Sequence, residues 1–312
     1  MLKNFLSVGN YSRNINKKPI YMDKMPCSVP ILTLNSEKYL EKCLQSLKDF
    51  QDVYLVDGNS TDKTLEIAKK FGIPVYKQVE TEEKNIRIED FSAMRNKSIS
   101  FARCDWIFDI DSDEFLSRGL LQEIKEVFAE FGNEVNIGFE IEHQSIFGEK
   151  IIKHAFNYPS VYLRLYNKKS GIRFQEEKTV HEQLSVPLSV QKKTLKFPVY
   201  SYAPDTHEEL IKKDNAYLTI ARNKFFTCNL EEFSLKKRIR YIFLALNAFA
   251  LNMARALLIL SKSAVIYLAY GFSESLPPLQ VWRHVRYHVI ISFYRLEQLI
   301  RLLIPGGLSS KK

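Results

Sequence analysis

The chain has 312 residues, with 45 Lys+Arg against 36 Asp+Glu and a formal net charge of +9 at pH 7. Hydrophobic residues make up 46% and charged residues 26%, a globular composition that excludes a wholly disordered chain, collagen and a coiled-coil rod. The four cysteines, Cys27, Cys43, Cys104 and Cys228, form no CxxC pair. Neither a zinc ribbon nor a disulfide scaffold is therefore expected, and a reduced, cytosolic compartment fits best.

Residues 1–26 are polar without a clear period and read as a flexible leader. They hold no uninterrupted apolar stretch and no small-residue cleavage pattern, so no signal peptide is expected. From Cys27 the pattern changes. CSVPILTL (27–34) is a short apolar run that predicts a buried strand ending at Asn35. Residues 36–49 set Tyr39, Leu40, Cys43, Leu44 and Leu47 at helical spacing, with Ser36 as the expected N-cap. DVYLVD (52–57) predicts a second strand, GNSTD a turn, 62–71 a helix opened by Asp62 or Thr61, and Ile73–Tyr76 a third strand. This alternation implies a parallel sheet with helices on its faces. Ligands of such sheets bind at the C-terminal strand ends, here Asn35 and Asp57–Asp62.

A helix is expected over 89–103, a strand over 105–110 and a helix over 118–131. Residues 135–190 read as β-rich, and 207–229 and 231–303 as mainly helical. In DWIFDIDSDEFL (105–116), Asp111 and Asp113 stand one residue apart just past an apolar strand. In extended geometry, residues two apart project to the same side. Two carboxylates so aimed suit Mg²⁺ or Mn²⁺, which take hard oxygen ligands and keep waters and substrate phosphates as the rest. The alternative is a solvated acidic turn.

The succession of LTLN (32–35), LVDGNSTDKT (55–64), FSAMRNKSIS (91–100), DWIFDIDSDE (105–114) and KTVHEQL (178–184) resembles the family 2 glycosyltransferases, and among them the lipopolysaccharide-core glucosyltransferase subgroup. That resemblance implies an α/β, GT-A-like nucleotide-diphospho-sugar transferase fold: a Rossmann-like mixed sheet flanked by helices, a catalytic domain over 27–230 and a helical C-terminal extension over 231–312. It implies that Asp57 contacts the nucleotide base, with Asn35 and Ser60 on loops near base and ribose and Arg95 near the donor pyrophosphate. Asp111 and Asp113 match the DxD motif, Asp113 as direct metal ligand and Asp111 at the ribose or a bound water. Glu182 matches the general base and His181 a metal or phosphate contact, with Glu176, Glu177 and Asp205 as rival bases. The activity implied is metal-dependent (Mn²⁺ or Mg²⁺), inverting transfer from a nucleotide-sugar donor to a glycan or lipid-linked acceptor in cell-surface polysaccharide or lipopolysaccharide biosynthesis. A nucleotidyltransferase is the rival enzyme, but residues 27–64 hold no GxGxR or GxG phosphate loop. An inactive nucleotide-sugar-binding module is the rival from another class. The chain departs from the family pattern at Asn59 and Lys63 in the turn, at Ser201 where a His is common, and in GFSESLPP (271–278).

Charge is unevenly placed. Residues 1–190 hold 26 Lys+Arg and 28 Asp+Glu, whereas 191–312 hold 19 and 8. Residues 239–270 are strongly apolar, but Arg255 and Lys262 interrupt them. Each charge would cost about 2.5–3.5 kcal/mol in mid-bilayer, which disfavours a transmembrane hairpin. Residues 279–303 interleave Arg283, Arg286, Arg295 and Arg301 with Trp282, Tyr287, Phe293 and Tyr294. That suits a helix in the membrane interface with its arginines reaching lipid phosphates, or one packed on the catalytic domain. Without a helix-turn-helix, zinc-finger or RNP signature no nucleic-acid partner is expected. The expected location is cytoplasmic, peripheral at the inner face of the plasma membrane, with residues 231–312 on an anionic lipid surface.

Overall fold

A computed structural model describes residues 24–175, 183–203, 207–226 and 234–303. Strand β1 (Met25–Thr33) buries Cys27, Val29 and Ile31 completely. It starts inside the stretch read as a leader, because Met25 already pairs with Phe50. Helix α1 (Glu37–Ser46) buries Leu40, Cys43 and Leu44, the stripe that its spacing predicts. Ser36 does not cap it; its hydroxyl instead accepts from that of Ser112, 3.0 Å away. Strand β2 (Phe50–Asp57) lies parallel to β1 with Thr33 opposite Asp57. Helix α2 (Thr64–Phe71) opens where the Asp62 carboxylate accepts from Thr64 N–H, and closes at Gly72 with φ 66°. Strand β3 (Val75–Lys77) adds to β2 in parallel. Helix α3 (Phe91–Ser100) is capped by Asp90, which accepts from Ala93 N–H.

Strand β4 (Trp106–Phe108) returns to the far side of β1, again parallel. Next come β5 (Glu114–Leu116) and α4 (Arg118–Phe131), the latter capped by Ser117. The β-rich expectation for 135–190 resolves into β6 (Ile137–Phe147), β7 (Lys150–Ile151), β8 (Ser160–Asn167), β9 (Arg173–Phe174) and β10 (Leu184–Ser185). Strands β11 (Gln191–Thr194) and β12 (Val199–Tyr202) follow. The main sheet runs β3-β2-β1-β4-β8-β6-β12-β5, with β7 and β11 also on β6 and β9–β10 separate. Its first four strands are parallel, whereas β8 is antiparallel to both β4 and β6. This is the GT-A-like mixed sheet. The order reverses direction between β1 and β4, so the C-terminal ends of β1, β2 and β4 open on one crevice.

Helices α5 (His207–Phe226), α6 (Leu235–Tyr270) and α7 (Pro278–Leu303) complete the described chain. The main core gathers Phe50, Trp106, Phe108, Phe128 and Phe139 between the sheet, α1 and α4. A second cluster, with Ile152, Ala155, Ala256, Ile259, Leu276 and Val285, fastens the α6–α7 pair to the β6–β8 connection. There the Lys153 and His154 amides both donate to the Glu274 carbonyl, at 2.8 and 3.1 Å. Of the two readings of 279–303, packing against protein describes the first two arginines of α7. Arg283 lies 3.3 Å from Asp214 and Arg286 donates to Asn215, both on α5, while Arg295 and Arg301 bond Gln298 and Glu297 on α7 itself.

Candidate functional site

Three asparagines shape the crevice floor. Asn35, Asn59 and Asn85 all hold positive φ, at 51°, 57° and 57°, a region that a short amide side chain tolerates by bonding locally. After β1, Asn35 donates its N–H to Ser60 Oγ, accepts from Thr61 N–H on Oδ1, and donates Nδ2 to Asn85 Oδ1. Asn59 donates to the Thr81 and Glu83 carbonyls. Residues 78–90 are thus laid across the ends of β1 and β2. The approach is close enough that a Cβ on Gly58 would sit 2.4 Å from the Ile86 carbonyl oxygen. The Asn59 departure from the family turn therefore leaves the turn intact and ties it down.

Asp57 is buried, and its two oxygens take three donors: Thr33 Oγ1 at 2.8 Å, Ser60 N–H at 2.8 Å and Ser60 Oγ at 2.6 Å. These bonds close the turn after β2, and a carboxylate so engaged keeps about one further acceptor site.

The acidic segment differs from its extended expectation. Strand β4 ends at Phe108, and Asp111 to Glu114 form a turn closed by Glu114 N–H donating to the Asp111 carbonyl at 3.0 Å. Two-residue alternation does not apply across a turn, so Asp111 and Asp113 meet different surroundings. Asp111 is half-exposed (47%) and accepts from Arg95 of α3, whereas Asp113 is exposed. The same Arg95 stands 3.6 Å from buried Asp109. Arg95 and Asp111, singled out separately in the sequence, are therefore one ion pair.

Beneath them lies a layer that the sequence reading missed. Glu114, 3% exposed, holds Arg164 of β8 in a bidentate pair at 2.7 and 2.8 Å, and its Oε2 also accepts from Asp111 N–H at 2.9 Å. His143 Nε2 lies 3.6 Å from Glu114 and 2.8 Å from the Ser201 hydroxyl. Tyr166 donates to Asp109 at 3.3 Å. Arg164 left one trace in the sequence, a lone charge inside the apolar strand VYLRLYN, where a buried charge needs a partner.

Burial raises the Asp109 carboxyl, with Arg95 and Arg164 opposing. At Asp111 burial is outweighed by the same two guanidiniums, which hold it below the usual carboxylate range. Burial pushes Glu114 up to about 7 against the pull of Arg164. Burial, then Arg164, pushes His143 down to about 4, so the imidazole is neutral near pH 7. Among the described residues no group of three or more His, Cys, Asp or Glu converges on one metal position. Asp111 and Asp113 alone supply two hard oxygen donors, which fits a divalent ion that takes its other ligands from water and phosphate.

His181, Glu182, Glu176, Glu177 and Asp205 lie outside the described residues. The ends that flank 176–182 are fixed beside Arg95: Gln175 N–H donates to the Gln183 carbonyl, and Asn96 exchanges two 3.0 Å bonds with the Phe174 backbone. Open cavities of about 340 Å³, between α6 and α7, and 430 Å³, beside Asn96 and Lys168, lie away from the acidic turn.

Comparison with known proteins bears on the whole crevice. Residues 28–184, about half of the chain, match the family model described as glycosyl transferase family 2. An uncharacterized glycosyltransferase of Rickettsia bellii is 28% identical over 193 residues, 60% of this chain and 63% of that protein. The lipopolysaccharide core biosynthesis glycosyltransferase LpsC of Rhizobium meliloti is 26% identical over 204 residues, 63% of this chain and 70% of its own. The chain thus spans less than two thirds of the Rickettsia relative's length. Among solved structures, S. aureus TarS 1-349 in complex with UDP-GlcNAc is 18% identical, with a TM-score of 0.45 over 89% of this chain and 91% of that one. The family match runs from β1 into β10 and takes in the ends of β1, β2 and β4 around the crevice: the chain belongs to glycosyl transferase family 2.

Proposed function

We propose that this chain is a metal-dependent, inverting glycosyltransferase that moves a sugar from a nucleotide-sugar donor to a glycan or lipid-linked acceptor at the cytoplasmic face of the plasma membrane. The observation that carries the reading is the convergence of the Asp57–Ser60 turn, Arg95 and the Asp111–Asp113 turn at the C-terminal ends of β1, β2 and β4. Asn35, Asp57 and Ser60 bind the nucleoside end, and Arg95 and Asp111 lie toward the pyrophosphate. Asp113, with Asp111, would hold Mn²⁺ or Mg²⁺, which supplies charge neutralisation for the leaving diphosphate. Glu182 takes the proton from the acceptor hydroxyl as that oxygen attacks the anomeric carbon, and the sugar–phosphate bond breaks on the opposite side. Such base catalysis contributes a factor of about 10²–10⁴. His181 acts as a metal or phosphate contact. The likeness to LpsC supports an acceptor of the lipopolysaccharide-core class. Residues 27–230 form the catalytic unit and 231–312 a helical, basic membrane-associated region.

Calorimetry with UDP and Mn²⁺ tests the donor site. Metal-dependent UDP binding is expected in the native chain and its loss in Asp113→Ala. Binding that ignores Mn²⁺, or survives that substitution, would sink the assignment. A screen of UDP-, GDP- and dTDP-sugars then identifies the donor, and Glu182→Gln is expected to bind it while losing at least about a hundredfold in kcat.

A further inference from the structure

Helix α6 is built inside out. Toward α7 it buries Ala245, Ala256, Ile259 and Ser263, only one of them a large aliphatic. Asn252 on the same face meets His288 of α7 at 3.1 Å, and α7 buries Gln280, Ser292 and Gln298 alongside Val281, Val285 and Ile291. Other large apolar side chains point away from α7: Phe243, Leu246, Leu257, Leu258, Val265 and Leu268 are all exposed, the last to 89%. At 3.6 residues per turn they share one arc with Ala250, Ala254, Ala264 and Ser261. No charged residue falls on that arc between Phe243 and Ala269, about 40 Å of helix. Arg255 and Lys262, one heptad apart, lie together on one flank, and Lys236, Lys237, Arg238 and Arg240 cluster at the N-terminal end.

On α6 itself the buried side is mostly small or polar and the leucines lie outside, as on helices in lipid, where the solvent is apolar. A core helix of a water-soluble domain would bury the leucines, yet only 17% of the most apolar stretch of α6 is buried, at a mean hydropathy of 1.8. Soluble monomers seldom expose a continuous apolar face of this extent. The charges choose the occupant. Helix α6 contains no acidic residue, so a second copy of this face would bring nothing to meet its basic flank and end, whereas anionic headgroups meet both.

We infer that the outer face of α6 is embedded lengthwise in the hydrocarbon edge of an anionic bilayer, with α7 on the protein side and Arg255, Lys262 and the 236–240 cluster at headgroup level. The inference rests on the membrane reading above and changes its terms. The contact is made by α6, not by the arginines of α7, and is apolar first and electrostatic second. Lying in the surface also keeps Arg255 and Lys262 out of the bilayer centre.

Flotation of the full-length chain with vesicles of phosphatidylcholine and about one third phosphatidylglycerol tests it. The chain is expected to float at low salt and to stay bound in about 1 M NaCl, where surface charges are screened. Leu257→Glu and Val265→Glu are each expected to cut recovery about tenfold. Arg255→Ala with Lys262→Ala should weaken binding at low salt only. Circular dichroism melts of each variant check that the exposed substitutions leave the fold intact. Release of the native chain by salt would overturn embedding and leave an electrostatic surface contact. Failure to float at either salt would remove the membrane partner altogether. Leu257→Glu that splits a dimer in sedimentation while still floating would make a second copy the occupant and overturn the inference. UDP and Mn²⁺ calorimetry on the same preparations reads the donor site separately, so neither result stands in for the other.

Discussion

Arg164 is the residue on which the acidic turn depends most. Its guanidinium is the cation that faces both buried Glu114 and the Asp109 carbonyl. Removing one partner of a buried pair leaves the other uncompensated, at a cost of about 3–5 kcal/mol. Arg164→Met is therefore expected to lose about that much in urea unfolding, and Arg164→Lys less, since it keeps the charge but not the fork. His143 makes a second prediction, with a defined sign. In the unfolded chain it takes a proton near its ordinary 6.5, in the folded chain only near 4. At this group the unfolded state binds more protons between those values, so its contribution to stability is full above pH 6.5 and is lost as pH drops toward 4. The loss is about 3 kcal/mol at most. Glu114, raised to about 7, contributes the opposite slope over much of that interval, so the difference decides: the melting temperature of the native chain minus that of His143→Gln should fall as pH drops from 6.5 toward 4.

At the scale of elements, the loop over 78–90 is fixed by backbone proximity. Gly58→Ala forces the Ile86 carbonyl away and shifts that loop, so a weaker donor KM with kcat largely kept is the expected kinetic result. The alternation from β1 to β3 was legible because each strand is an apolar run and each helix an amphipathic stripe. Strand β5 was not, since three residues carry no period. Nor was the turn at Asp111–Glu114. DWIFDI looks like a strand throughout, but its end is decided by Glu114 engaging Arg164, a partner 50 residues on. Asp57, Asn35 and Ser60 were legible as strand-end residues and do meet, while their mutual bonds were not, because those depend on how the β1 and β2 ends are registered, 25 residues apart in sequence. Helix α6 was legible as a helix. Its orientation was not, since a segment apolar almost all round has no face that composition singles out.

Across the whole molecule, the +9 charge belongs to a near-neutral sheet and a basic helical end joined through the Glu274 turn. The two parts should differ in exchange behaviour. The amides of β1, β2 and β4, whose side chains form the main core, are expected to exchange slowest with or without lipid. Protection that rises when anionic vesicles are added should concentrate in α6. Hydrogen exchange with mass readout checks both, and equal gains in α1 or α4 would contradict the division.

The three positive-φ asparagines also bear on how the protein ages. Asn35 and Asn59 are each followed by serine, a pairing prone to deamidation, in which the next backbone nitrogen attacks the side-chain amide. Here both nitrogens are engaged: Ser36 N–H donates to Thr64 Oγ1 at 2.7 Å and Ser60 N–H to Asp57 at 2.8 Å. Chemical decay at these positions then waits on local opening of the crevice. Peptide mapping of stored protein should find Asn35 and Asn59 intact in native buffer and converted in denaturant, so that their slow conversion serves as a clock for how often the nucleotide end of the site comes apart.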